Sequence, residues 1–227
     1  MTEENIEVEV TLDLDKEGYE LFCTEMNSFL IDIYDQWNIF FDTVDHSLLK
    51  SNKRCRVRSI DAQNSENKYT ICSKTSKSDA IDGAIARRRE VENNISKELF
   101  DNIVQHPEDY YKLAPNEIQE ELPEFKDISF CFLVDFRSIR RIYKLGEFNI
   151  ESDECILPDD SKFYQLDIES SKPEEAKRVV EQKLNDLGIK FEEAPYGKFT
   201  RLTKIPPNKR FSKRLRDQIE QNKDSKQ

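Results

Sequence analysis

The chain has 227 residues, of which 36% are charged and 37% are hydrophobic, and its formal net charge is -11. This length predicts one domain with a core of its own, which we place at residues 1–205. It precedes a basic, polar tail at 206–227, which we expect to be flexible, either disordered or a loosely attached helix. The net negative charge repels nucleic-acid phosphates at long range, so we expect neither DNA nor RNA as a partner. Any phosphate-binding site must then be a local cluster of basic residues.

The first half of the chain is predicted to combine one helix with several strands. Residues 6–14 alternate strictly between apolar and polar side chains, as a half-buried strand does. Residues 16–33 carry apolar side chains at helical spacing, which predicts a helix that packs on a sheet. Further strands are predicted at 37–42, 54–60, 68–74 and 84–92, with the spacing of an antiparallel meander.

The second half is predicted to return to strands after a helical insertion. Residues 96–122 predict one or two helices. Pro173 begins a strong helix that ends at Gly188. Strands are predicted at 128–136, 138–145, 147–155, 162–170 and, after that helix, at 198–202.

Cysteine, glycine and histidine usage excludes several kinds of site. The five cysteines are widely spaced without a CxxC pair, which predicts reduced thiols and a cytoplasmic location. No GxGxxG or GxxxxGK[ST] motif is present, so a Rossmann or P-loop phosphate cradle is excluded. His46 lies in a turn-like context and His106 precedes Pro107, so neither is assigned a catalytic role. We also expect no leader segment and no contact with a membrane, because no apolar run reaches the required length.

Strand after strand carries charged side chains on its polar face. For any one strand, a solvated face is the simpler interpretation. About eight strands close naturally into a barrel, however, and inward-pointing charged faces would give a lumen with both cations and carboxylates. Such a lumen can bind phosphate oxygens and hard divalent cations. The charged sets are Glu7 and Glu9; Arg54, Arg56 and Arg58; Lys68 and Lys74; Arg88, Glu90 and Glu92; Glu151 and Asp153; and Asp167 and Glu169.

An ordered set of short motifs resembles the triphosphate tunnel metalloenzymes of the CYTH superfamily. The set spans nearly the whole chain, and its order is specific although single pieces such as ExE are common. The nearest likeness is to plant inorganic tripolyphosphatase, and thiamine triphosphatase is a further relative. The motifs are Glu7-Val8-Glu9-Val10-Thr11, residues 38–43 (NIFFDT), Arg56-Val57-Arg58, Ser73-Lys74, Arg89-Glu90-Val91-Glu92 and Lys198-Phe199.

This resemblance implies an α+β fold, mainly antiparallel β, in which an eight-stranded closed β-barrel with flanking helices holds a small-molecule triphosphate. It implies one or two Mg²⁺ or Mn²⁺ ions, and we expect a monomer. The implied metal ligands are Glu7, Glu9, Asp153, Asp167 and Glu169. The implied phosphate-binding residues are Arg56, Arg58, Lys74, Arg140 and Lys198. Catalytic roles are implied for Glu9, Arg58 and Glu169, whereas Glu90 and Glu92 are lumen acids without an assigned role.

Two positions depart from the pattern of the family. Thr11 stands at the lysine of the ExExK signature, and Gln165 stands where relatives often have glutamate. These changes can alter substrate choice, metal preference or turnover. Three function classes stay open: a metal-dependent triphosphatase, an adenylyl cyclase of the class IV type, and a non-catalytic polyphosphate-binding barrel. We favour hydrolysis of the terminal phosphoanhydride of inorganic tripolyphosphate over nucleoside or thiamine triphosphates.

Overall fold

Antiparallel strands dominate the computed structural model, which describes residues 6–75, 85–194 and 197–224. Within these residues, nine strands form one sheet. The strands are β1 (Ile6–Leu14), β2 (Leu30–Thr43), β3 (Lys53–Ala62), β4 (Lys68–Thr75), β5 (Ile85–Ile95), β6 (Phe130–Leu145), β7 (Phe148–Ile156), β8 (Lys162–Glu169) and β9 (Phe191–Glu193).

The sheet is a curled half-barrel whose strand order is β5-β4-β3-β2-β6-β7-β8-β1-β9. Along one edge, β1 pairs with β8 from Glu9 to Leu14. Along its other edge, β1 pairs first with β5, from Ile6 to Val10, and then with β9, from Leu12 to Leu14. The predicted antiparallel α+β architecture is confirmed, and the curl turns one face of the sheet inward.

Eight helices flank the sheet in the described part of the chain. Asp15 caps the first of them by accepting a hydrogen bond from the Gly18 backbone N–H at 2.7 Å, and Ser96 caps the third through the Leu99 N–H at 3.1 Å. None of them has the length and apolarity that crossing a membrane requires. The helices are α1 (Lys16–Glu25), α2 (Ser47–Lys50), α3 (Lys97–Gln105), α4 (Tyr110–Leu113), α5 (Asn116–Glu120), α6 (Pro173–Asp186), α7 (Lys198–Thr203) and α8 (Lys213–Asp224).

The apolar side chains of the strands point outward, where helices cover them. Val10 and Leu12 of β1 lie in one core cluster with Phe22 of α1 and Val180 and Leu184 of α6. A second cluster joins β2, β3 and β4 to α3 and α8, and its members include Ile39, Val57, Ile71, Ile103 and Leu215. Because successive side chains of a strand alternate between the two faces, this outward packing leaves the charged positions facing the inside of the curl.

Four element predictions are wrong in detail. The insertion at 96–122 contains three helices, α3, α4 and α5, rather than one or two. The helix expected at 16–33 ends at Glu25, and a 3-10 turn leads into β2, which begins at Leu30. The strands expected at 128–136 and 138–145 are the single strand β6. Residues 198–202 are helical rather than extended, because Phe199 and Leu202 lie three positions apart and are both buried on one side of α7.

The C-terminal segment expected to be a flexible tail contains the packed helix α8. Leu215 is fully buried, and Phe211 and Ile219, one helical turn before and after it, pack against the same core cluster. Ser212 precedes the helix and bonds Asp135 of β6 through its backbone N–H (2.7 Å) and its hydroxyl (2.5 Å). These three apolar side chains, spaced four residues apart within a basic segment, thus attach α8 to the sheet.

Candidate active site

The inside of the curl contains a cavity of about 660 Å³ that is lined by alternate residues of several strands. Its described wall is crowded with charged side chains of both signs. The cationic lining residues are Arg54, Arg56, Arg58, Lys74, Arg88, Arg140 and Lys198. The anionic lining residues are Glu9, Glu90, Glu92, Asp153, Asp167 and Glu169.

Arg140 and Lys198 join two buried aspartates on one side of this cavity. Arg140 lies opposite Asp153 in the β6–β7 register, and its guanidinium binds both oxygens of that carboxylate, at 2.9 Å and 2.7 Å. The Lys198 ammonium, from the first residue of α7, contacts Asp153 at 2.5 Å and also contacts Asp167. Two carboxylates from neighbouring strands therefore converge on one cation.

The two aspartates respond differently to this shared environment. Burial, with help from the charges of Glu9 and Asp153, raises the pKa of Asp167 to about 6 against the opposing charges of Lys198 and Arg140. Burial also acts on Asp153, but there Arg140 and Lys198 outweigh it and hold its pKa well below the usual range. Asp153 is thus a fixed anion, whereas Asp167 is the acid of the pair that exchanges its proton more readily.

Glu9 and Glu169 face each other across β1 and β8, where they form a direct cross-strand pair. Glu9 accepts a hydrogen bond from Arg88 Nη1 at 2.8 Å. Burial alone would raise the pKa of Glu9, but Lys74, Arg88 and further lining cations lower it below its ordinary value. Glu9 is therefore ionised. The side chain of Glu7 lies outside the described part of the structure, so its predicted metal-binding role stays a prediction.

A second charged group lies on β3, β4 and β5. Arg56 lies 3.1 Å from Glu92 and 3.6 Å from Glu90, and Lys74 lies 2.5 Å from Glu90. The Cys72 thiol donates to Glu90 at 3.0 Å. Among the described residues, Cys72, Glu90 and Glu92 are the set of three potential metal-donor side chains whose atoms all lie within 4.8 Å of one another. Arg56 and Lys74 already neutralise its two carboxylates.

The residues predicted to bind a divalent ion have donor chemistry that fits one. Asp153 and Asp167 already direct oxygens at a single cation, the ammonium of Lys198. Carboxylate oxygens are the ligands that Mg²⁺ and Mn²⁺ prefer in proteins. The charge of Glu9 acts on Asp167, but in the described part of the chain the donor atoms of Glu9, Asp153 and Asp167 do not all lie within 4.8 Å of one another.

Every predicted site residue whose side chain is described lines the cavity, including Lys198, which reaches it from α7 and not from the predicted strand. Of the charged sets that strand alternation identified, Lys68 and Glu151 are not among the lining residues. The roles assigned to the predicted site residues stay predictions. Sequence reasoning missed the contributions of Gln36 and Asn38, which also line the cavity. Their signal was the alternation of amides with Trp37 and Ile39 along β2, but uncharged amides at such positions occur on many solvated strands.

A model of the CYTH domain matches residues 5–195. The chain belongs to the CYTH family. Among solved structures, this CYTH protein is similar to a candidate adenylyl cyclase from Hippeastrum that is reported to have a dominant triphosphatase activity, with 24% identity and a TM-score of 0.78. That match covers 88% of this chain and 98% of the other.

Two further similarities show how widely the fold of this CYTH protein occurs. A candidate adenylate cyclase from Bacillus halodurans matches with 15% identity and a TM-score of 0.65, over 87% of this chain and 98% of that one. A chain of the Schizosaccharomyces pombe Mediator head module matches with 9% identity and a TM-score of 0.53, over 82% and 98%. At these identities the likeness shows the fold alone. None of the curated proteins matches the chain in sequence.

Proposed function

We propose that this CYTH protein hydrolyses the terminal phosphoanhydride of a triphosphate with the help of a divalent metal ion. The observation that carries the proposal is the cavity of about 660 Å³ whose described wall holds both the cations and the carboxylates identified above. Hydrolysis of a triphosphate spreads negative charge over the transferred phosphoryl oxygens, so catalysis is mainly positioning and charge neutralisation. A fixed, mixed-charge cavity supplies both.

We further propose that β1 to β8 enclose the substrate as a tunnel. The pairing of β1 with β5 supports this, because it joins two strands that stand far apart in the strand order. A surrounding wall of strands would exclude bulk water and would strengthen each contact between the wall and a bound anion.

In this proposal, carboxylates on one side of the cavity hold Mg²⁺ or Mn²⁺, as one or two ions. The ligands would be drawn from Glu9, Asp153, Asp167 and Glu169, together with Glu7. When bound, such an ion supplies charge neutralisation at the phosphate oxygens and lowers the pKa of a coordinated water. Without ligand and metal, Lys198 forms an ion pair with Asp167 and Arg88 forms one with Glu9.

The basic residues would hold the phosphate oxygens of the substrate. Arginine suits this role because its planar fork of N–H donors matches two phosphate oxygens at once. In this scheme Arg56, Arg58 and Arg140 bind the chain of phosphates, whereas Lys74 and Lys198 act as point charges. Glu9 or Glu169 orients the attacking water, and neither a histidine nor a covalent nucleophile is needed.

Inorganic tripolyphosphate is the substrate that we favour. The aromatic rings of the cavity wall, Phe40, Phe136 and Phe199, are buried against one another rather than open to stack on a base or a thiazole ring. The net charge of -11 supports a small-molecule partner over a nucleic acid. We extend the proposal to a monomeric protein that acts in the cytoplasm.

A phosphate-release assay tests the proposal directly. Tripolyphosphate, ATP, GTP and thiamine triphosphate are each incubated with the protein and Mg²⁺, Mn²⁺ or Ca²⁺, and EDTA serves as the control. We expect metal-dependent phosphate release that is fastest with tripolyphosphate. Tripolyphosphate binding by calorimetry without phosphate release under any condition would contradict hydrolysis and favour a non-catalytic barrel.

Adenylyl cyclase activity is the second candidate, because two of the similar structures belong to candidate cyclases. The same reactions with ATP are therefore analysed for cyclic AMP. Cyclic AMP as the main product from ATP would replace the triphosphatase proposal, whereas ADP and phosphate would support it.

A further inference from the structure

Three polar side chains form a row across β2, β3 and β4 on the inward face of the sheet, and two of them, Asn38 and Arg58, line the cavity. Asn38 lies directly opposite Arg58 in the β2–β3 register, and Arg58 lies directly opposite Thr70 in the β3–β4 register. Side chains of directly paired residues point to the same face of a sheet, and Asn38 and Arg58 both line the cavity. The row therefore faces the inside of the curl.

Two members of this row have buried polar atoms without a partner. Asn38 is only 1% exposed, and its Oδ1 accepts a hydrogen bond from Arg58 Nε at 2.9 Å, which orients the amide. Its Nδ2, with two N–H donors, has no hydrogen-bond partner among the described residues, and neither does the hydroxyl of Thr70, which is 5% exposed. An unsatisfied buried polar group costs about 1–3 kcal/mol, so an acceptor bound at this level would relieve two such costs at once.

Arg58, the third member, differs from most of the other cations of the cavity because it has no carboxylate close to it among the described residues. Arg56, Lys74, Arg88, Arg140 and Lys198 each lie within 4.0 Å of a carboxylate. In the part of the chain that the structure describes, Arg58 has no carboxylate at that distance. Burial, followed by repulsion from Arg56, lowers the pKa of Arg58 to about 10, so the side chain still carries its charge at neutral pH. The charge of Glu92 acts on Arg58 from beyond that distance, and two buried donors without partners among the described residues lie on either side of the Arg58 cation.

We propose that Asn38, Arg58 and Thr70 form a metal-independent subsite that binds one phosphoryl group of the triphosphate, with Asn38 Nδ2 and the Thr70 hydroxyl donating to its oxygens. The inference rests on the proposed function for the identity of its ligand. A row made of donors and one cation suits an oxyanion and offers little to a metal ion. The phosphoryl group bound here would thus be held by the protein directly, away from the carboxylates of β1 and β8.

A purely structural role for Asn38 would be to hold the Arg58 guanidinium in place through Oδ1. The variant Asn38→Asp separates the two roles, because aspartate keeps an acceptor for Arg58 Nε but removes both N–H donors and neutralises the cation. Thr70→Val gives an independent test with nearly unchanged shape. Asn149→Asp, on the exposed part of β7, is the matched control.

The measurement is calorimetric titration of the full chain with tripolyphosphate in EDTA, accompanied by thermal unfolding without ligand. We expect Asn38→Asp and Thr70→Val each to weaken binding about tenfold or more, while thermal stability stays equal or rises because an unsatisfied group has been removed. Asn149→Asp should bind as the unaltered chain does. Unchanged affinity in Asn38→Asp and Thr70→Val, or no tripolyphosphate binding by the unaltered chain without metal, would overturn the subsite.

The outcome is independent of catalysis, since neither metal nor turnover is involved. Weakened binding in both variants combined with no phosphate release by the unaltered chain would keep the subsite and reject the proposed hydrolysis. Parallel loss of stability and affinity in both variants would assign a structural role instead.

Discussion

At the scale of single residues, most of the described charged side chains of the cavity are paired with one another as ion pairs. Alternation along the strands predicts most of the strand residues that share this face, because it depends only on position. It does not predict that Lys198 joins Asp153 and Asp167, because that contact depends on where α7 meets the sheet. Asp167 also lies directly opposite Thr11, so Lys198 brings an ammonium to the level where the signature lysine is missing.

The first prediction concerns Asp167, which we propose as a metal ligand. Asp167→Asn keeps the shape of the side chain but removes a charge from the proposed metal site, so phosphate release should fall by about 100-fold or more. The same assay, with tripolyphosphate and Mg²⁺, measures the loss. Asp127→Asn, at an exposed loop position, should keep full activity. Equal activity in the two variants would remove Asp167 from the mechanism.

At the scale of elements, local sequence pattern predicts most strands but fails where tertiary contacts decide. Residues 30–33 continue the apolar spacing of α1, yet they pair with β6 and belong to β2. Residues 198–203 are short enough to fit either a strand or a helix, and burial of Phe199 and Leu202 selects the helix. Charge composition suggested a loose tail, whereas the spacing of three apolar residues attaches α8 to the second core cluster.

The second prediction tests the attachment of α8. Leu215 is 0% exposed, so Leu215→Ala should lower the free energy of unfolding by about 2–5 kcal/mol through lost burial and a cavity. Leu21→Ala, at a side chain that is 41% exposed on α1, is the matched control and should cost less than about 1 kcal/mol. Urea unfolding followed by circular dichroism measures both. Similar small losses would mean that α8 is not part of the cooperative fold.

The third prediction concerns the start of β2, where Asp32 stabilises the loop between β3 and β4. Asp32 accepts hydrogen bonds from the Asn64 backbone N–H at 2.9 Å and the Ser65 hydroxyl at 2.7 Å. Burial would raise the pKa of Asp32, but these hydrogen bonds outweigh it and lower the pKa. A lowered folded-state pKa stabilises the protein above the unfolded-state value of about 3.9 and loses that effect as the pH falls through the folded-state value.

Asp32→Asn should therefore reduce the free energy of unfolding by about 1 kcal/mol at pH 7, with a smaller difference near pH 3. Urea unfolding at both pH values measures it. Asp61→Asn, at an exposed position of β3, provides the control. A difference that stays constant between the two pH values would show that the Asp32 charge does not contribute.

At the scale of the whole molecule, helices cover the outer face of a curled sheet, whereas charged side chains line its inner face. Composition and alternation predict this division, but the pairing of β1 with β5 joins distant segments and could be expected only from the family resemblance. The unpartnered Asn38 and Thr70 are likewise visible only when the strands are in register.

The fourth prediction uses the thermal stability of the protein to measure ligand binding at this inner face. A ligand that binds only the folded protein raises its stability by about 2.7 kcal/mol at a concentration of 100 times its dissociation constant. Tripolyphosphate with Mg²⁺ should therefore raise the unfolding temperature by several degrees, whereas orthophosphate at equal concentration and ionic strength should leave it nearly unchanged. Differential scanning fluorimetry makes the comparison. An equal shift with both anions would contradict a cavity built for a chain of phosphates.

The pairing of the inner charges with one another makes ligand entry an exchange of ions. In the described wall, carboxylate side chains already form ion pairs with most of the cations. An anion that enters the cavity must therefore displace several of these carboxylates together. A small anion with one or two charges competes at a single contact and is readily expelled, whereas a linear polyanion competes at many contacts that are linked covalently. Valence, more than shape, would then decide which solutes remain inside long enough to react.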